Sequence, residues 1–142
     1  MLSIGKLSHA TGVKVPTIRY YEQIGLLPSP GRNAGGQRLY DRAMQDRLIF
    51  IRHARALGFV LDDIRELLAL SDMPQQSCAA ADAIARRQMI EVEQRIARLK
   101  ALHTELQRMI AQCSHGTVED CRVIQVLSDP AFHGAEAQAE NM

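Results

Sequence analysis

Cys78, Cys113, Cys121 and His115 are the residues of this 142-residue chain whose types could do chemistry together. Thiolate and imidazole donors suit zinc(II), cadmium(II) and other soft ions, and no carboxylate cluster suggests magnesium or calcium. Cys113 and Cys121 bracket a short polar loop that carries His115, the expected fourth ligand, with Glu119 and Asp120 as weaker donors. His133, in the tail, is a candidate for a secondary site only. Taken singly, each cysteine reads as a small core residue. An odd count of three, in a chain with no apolar signal segment, argues for reduced thiols rather than a disulfide framework. No cysteine has a partner histidine with an orienting acid, so a nucleophilic enzyme lacks support and the chain is expected not to be an enzyme. An iron–sulfur cluster would call for a fourth cysteine.

The element that must position these thiols is a long helix. The 34 residues between Cys78 and Cys113 contain no Pro or Gly and are rich in Ala, Leu, Arg, Gln and Glu. Steps of four and three from Cys78 pass through Asp82, Ala85, Met89, Val92, Ile96, Leu99, His103, Leu106 and Ile110 to Cys113, a mostly apolar seam with both cysteines on one face. At 1.5 Å per residue the two thiols lie about 52 Å apart, too far to share an ion within one chain. Two copies packed antiparallel, with residue numbers summing to 191, would set Leu99 against Val92, Leu106 against Ala85, and Cys113 against Cys78 of the second copy. One register then buries the seam and gathers three thiols at each end of a homodimer.

The amino-terminal part supplies a different chemistry. Residues 1–58 hold nine Lys or Arg against three acidic residues, a net +6, and the rest of the chain carries −5. A basic half points to a polyanion, and nucleic acid is the expected one. Ser3 is an N-cap for a first helix that Gly12 ends, and Pro16 opens a second that Gly25 stops, which reads as a helix-turn-helix. Residues 26–40, with two prolines and three glycines before Arg38-Leu39-Tyr40, read as a hairpin wing with Gly35-Gly36 at the turn. Lys14, Thr17, Arg19 and Tyr20 or Tyr21 on the second helix, and Arg32, Gln37, Arg38 and Tyr40 on the wing, are the candidate DNA contacts. Asp41 caps a third helix closed by Gly58, a fourth runs from Leu61 to Leu70, and Ser77 is the expected N-cap of the long helix. Val123–Leu127 reads as a short apolar helix behind the cysteine loop. No apolar run reaches the roughly 18 residues of a membrane span, so no membrane partner is expected and a cytoplasmic location is.

Ile18-Arg19-Tyr20-Tyr21-Glu22 through Gly25-Leu26-Leu27-Pro28, then Arg38-Leu39-Tyr40, Phe50-Ile51-Arg52, Leu57-Gly58-Phe59 and Asp63-Ile64-Arg65-Glu66-Leu67-Leu68, resemble the MerR family of transcriptional regulators over about residues 2–128. The resemblance implies a mainly α chain: a winged helix-turn-helix domain over 1–72, an antiparallel coiled-coil dimerisation helix over 73–113, a metal-binding loop and short helix over 114–128, and a flexible tail over 129–142. It implies a homodimer on double-stranded promoter DNA with an overlong spacer, which metal binding distorts so that RNA polymerase can start. A cysteine at the position of Cys78 looks like the branches that sense zinc, cadmium, lead or, less readily, mercury; the copper(I) branch has serine there. Gln37 stands where an aromatic is common, and the loop from Cys113 to Cys121 has its own length. A copper(I)-responsive regulator and a metal-buffering protein without DNA are the alternatives, the latter disfavoured by the basic amino-terminal half. A drug sensor of this family would need an effector domain after the coiled coil.

Overall fold

The computed structural model describes residues 1–113 and 115–132. Ser114, His133 and the rest of the expected tail lie outside the described residues. In order the elements are α1 (Ile4–Thr11), α2 (Val15–Gln23), β1 (Gly31–Arg32), β2 (Arg38–Leu39), α3 (Arg42–Ala56), α4 (Leu61–Ser71), α5 (Ala79–Ala111), a 3-10 turn (Val118–Asp120) and α6 (Arg122–Ser128). This is a winged helix-turn-helix followed by a long helix, as the residues led one to expect.

Local chemistry sets the ends of these elements. The Ser3 side chain accepts from the Lys6 N–H, and the Asp41 carboxylate accepts from the Met44 N–H at 2.9 Å, so each frees a helix start of one orphan donor. Gly12 ends α1 at φ 73°, a left-handed conformation that disfavours any side chain. A Cβ there would also stand 2.8 Å from Arg52 Nη1, so that side chain would have to shift.

By its internal contacts the chain forms two compact units, Met1–Ala85 and Arg86–Met142. The first is closed over a core that includes Leu7, Ile18, Leu26, Leu27, Tyr40, Leu48, Ile51 and Ile64, each 1% exposed or less. Every Leu or Ile so buried is worth roughly 1.5–3 kcal/mol. The wing is a two-stranded antiparallel ladder pairing Gly31 with Leu39 and Arg32 with Arg38, and it gains a further bridge from Leu2 to Tyr40. That bridge is reciprocal, with both backbone bonds at 2.8 Å.

The division between units falls inside α5, whereas the sequence reading puts its first boundary after residue 72. The stretch before α5 is not an open linker: the Met73 N–H bonds to the Leu70 carbonyl and the Gln76 N–H to Met73, each at 3.0 Å. Cys78, not Ser77, holds the N-cap position, because its carbonyl accepts the Asp82 N–H, while the Ser77 hydroxyl takes the Ala79 N–H at 3.2 Å. At the other end the helix closes at Ala111, and the Cys113 N–H turns back to the Ile110 carbonyl at 3.1 Å. Both thiols therefore flank α5 instead of lying on its face. In the second unit Met109 and Val126 are buried, but Met89, Val92, Ile96, Leu99, Leu106 and Ile110 of the seam are 38–63% exposed.

Candidate DNA interface and metal centre

On α2, Lys14, Arg19 and Tyr20 are exposed and Thr17 is half-buried. Tyr21 and Tyr40 correct the expectation: they are 8% and 0% exposed and belong to the core, so neither has surface to offer DNA. Adjacent residues on a helix point about 100° apart, so only one ring of the Tyr20-Tyr21 pair can face outward. The Tyr40 hydroxyl donates to the Glu22 carboxylate, and Arg38 Nη1 donates to the other carboxylate oxygen at 2.9 Å. Burial, with the Glu22 hydrogen bond adding to it, pushes the Tyr40 phenol up to about 12.

The wing turn is organised by a residue the sequence reading passed over. Asn33 Oδ1 accepts the N–H groups of Gly35 at 3.0 Å and Gln37 at 2.9 Å, and Asn33 Nδ2 donates to Gln37 Oε1 at 3.3 Å. Gly36 has φ 80°, so of the two expected turn glycines it alone takes the left-handed conformation. Between α2 and the wing runs an open groove of about 640 Å³, lined by Arg19, Glu22, Gln37 and Arg38 among others.

Most of the basic excess is engaged internally. Arg52 donates to the Thr11 carbonyl at 2.8 Å and Arg65 to Ile24 at 2.9 Å, capping the carboxyl ends of α1 and α2. Arg47 donates to the Leu26 carbonyl at 3.1 Å and faces Asp72 at 3.6 Å. Arg32 donates to Gly36 and Arg55 to Phe59, each at 2.8 Å, and Arg42 to Asp46 at 3.3 Å. Carbonyls do not neutralise a guanidinium, so Arg32, Arg52 and Arg55 still contribute to the positive field. Lys6, Lys14 and Arg19 are the cations of this half whose side chains make neither a hydrogen bond nor an ion pair among the described residues.

Behind α5, Arg122 Nε donates to Gln112 Oε1 at 2.8 Å, a clasp that joins the residues on either side of the loop. It clasps the loop between Cys113 and Cys121, both half-buried. The Ile124 N–H holds the Cys121 thiol below the usual range; partial burial opposes this, and the Val123 N–H and Cys113 thiol reinforce it. Two adjacent thiols, one biased toward thiolate, fit part of a soft-ion site. His115 is exposed with φ 58°, and Thr117 bonds to Asp120 at 3.3 Å. Among the described residues no three His, Cys, Asp or Glu are gathered where they could hold a metal ion. Cys78 is exposed at the edge of a separate cavity of about 370 Å³, lined by Phe50, Leu67, Leu70, Met73, Pro74 and Ala81 among others. Among the described residues no helix is long and apolar enough to cross a membrane.

Residues 2–71 match the family described as MerR HTH family regulatory protein, and residues 45–109 match the one described as MerR, DNA binding. The chain is 39% identical over 135 residues to the HTH-type transcriptional regulator ZntR of Escherichia coli K12, covering 92% of this chain and 95% of that one. It is 34% identical over 138 residues to the mercuric resistance operon regulatory protein of Serratia marcescens, covering 96% and 94%. Among solved structures, PbrR691 from Ralstonia metallidurans CH34 in complex with lead(II) superposes with a TM-score of 0.76 at 38% identity, over 90% of this chain and 100% of that one.

Proposed function

The chain belongs to the MerR family of helix-turn-helix regulatory proteins, and from that premise we propose that it is a metal-responsive transcriptional regulator acting in the cytoplasm as a homodimer. The single observation that carries the metal reading is that Cys113 and Cys121 bracket a clasped loop directly after a helix with an exposed apolar seam. Two thiols leave a divalent soft ion under-coordinated, and in the antiparallel register Cys78 of a second copy is the third donor, with His115 as the fourth. Relatives whose names speak of mercuric resistance and lead(II) support this class of effector. Zinc, cadmium or lead is the ion assigned, with mercury a weaker candidate; when bound it supplies a positive centre that needs deprotonated sulfur around it.

Lys14, Thr17, Arg19 and Tyr20 on α2 are assigned to the major groove, and Arg32, Gln37 and Arg38 on the wing to the backbone beside it. The regulator distorts an overlong promoter spacer so that RNA polymerase can engage it, a mode of action that reads DNA shape more than base edges.

Mixing two defective chains tests the shared site. Cys78→Ser and Cys113→Ser/Cys121→Ser each lack both sites as homodimers, while their heterodimer keeps one complete set. Metal titration of the purified heterodimer is expected to give half the wild-type stoichiometry with thiolate–metal absorption restored. A heterodimer that binds no more metal than either parent sinks the inter-chain site. A Cys78→Ser homodimer retaining two thiols per end is expected to lose the divalent response and to suit a monovalent ion.

A further inference from the structure

Glu22 is one residue beyond the buried Tyr21 on α2, and its side chain is 9% exposed. A carboxylate so far removed from water needs donors, and both of those it has come from the far side of the groove. Arg38 and Tyr40 are two residues apart, so the strand's alternation sends both side chains to the same face, each to its own oxygen of Glu22. Tyr40 is fixed from behind as well, since its backbone exchanges two hydrogen bonds with Leu2. The Arg38 side chain remains 41% exposed on the groove that Arg19 also lines.

We propose that Glu22 is a positioning residue that sets the separation of α2 and the wing, so that Arg19 and Arg38 face one stretch of DNA backbone across the groove. Glu22 does this without touching DNA: it aims Arg38 and holds β2 through Tyr40. It also places a negative charge close to the phosphates, so it opposes loose binding to any duplex and favours the geometry that seats both arginines. This rests on the DNA-binding reading above.

The test uses the full-length dimer, an operator selected by the wild-type protein from a random-sequence duplex pool, and a scrambled duplex of equal length. Glu22→Gln removes the charge and one acceptor. Operator affinity is expected to fall about tenfold, the scale of a lost charged hydrogen bond, while affinity for the scrambled duplex stays level or rises. Tyr40→Phe, buried and isosteric, is expected to lower operator affinity several-fold with the salt slope unchanged, whereas Arg19→Ala flattens that slope by about one unit. The Glu22→Gln/Tyr40→Phe double variant is expected to be no worse than Glu22→Gln alone, because both act on one contact set. Equal losses on both duplexes, or an operator preference unchanged in Glu22→Gln and Tyr40→Phe, overturn the inference. A wild-type protein that selects no sequence from the pool overturns the DNA reading itself.

Discussion

The two compact units solve the burial of apolar surface in opposite ways. In the first, helices from both sides of the wing close over Leu7, Ile18, Leu48, Ile51 and Ile64, and the core is complete within one chain. In the second, α5 buries Met109 but leaves Met89, Ile96, Leu99, Leu106 and Ile110 about half exposed along one seam. A helix 33 residues long with such a stripe is an unfinished interface, since soluble proteins rarely leave a contiguous apolar band in water. On this contrast the amino-terminal unit is expected to be stable by itself, whereas α5 is expected to depend on whatever covers its seam.

The largest expected effect breaks the second half of that contrast. Leu99→Glu places a charge at the middle of the seam, twice per dimer, at a cost of several kcal/mol that ought to weaken association by about a thousandfold or more. Sedimentation equilibrium is expected to show monomers, with thermal unfolding of the amino-terminal unit unchanged. A dimer of wild-type affinity would mean that another surface joins the chains.

Leu48→Ala probes the first half. Truncating a fully buried leucine leaves a cavity and is expected to destabilise the amino-terminal unit by about 2–5 kcal/mol in denaturant titrations. The association constant and metal stoichiometry of the protein are expected to hold. If association weakens in parallel, the units are not independent in stability.

A smaller effect follows from Tyr40. Its phenol titrates near 10.0 when unfolded and about 12 when folded, so the folded state favours the protonated form. The resulting stabilisation is fully present below pH 10 and is lost as pH rises through about 12, on the order of 3 kcal/mol in all. Unfolding free energies of wild type and Tyr40→Phe, compared between pH 9 and 11, should converge as pH rises. A constant gap would mean that the Tyr40 hydroxyl does not feel its burial or Glu22.

The sequence by itself determined the elements and most of their ends, the start of α5 at Cys78 instead of Ser77 excepted. Ser3, Gly12, Gly25, Asp41 and Gly58 act on backbone groups within a few residues, and the lack of Pro or Gly over 34 residues is enough to specify α5. The cysteine loop was legible for the same reason: Cys113 and Cys121 are close in the chain, and a short loop can close between them. What tertiary structure decided is which side chains are left over for function. Tyr20 and Tyr21 are equal candidates by type, and only the packing of α2 on α1 and the wing buries the second ring. Arg38 and Glu22 are 16 residues apart, Arg52 and Thr11 41 apart, and Tyr40 pairs with Leu2 from the far end of the domain. Local propensity and periodicity carry no signal for contacts at such separations, because loop closure between those residues is compensated only when the whole core forms.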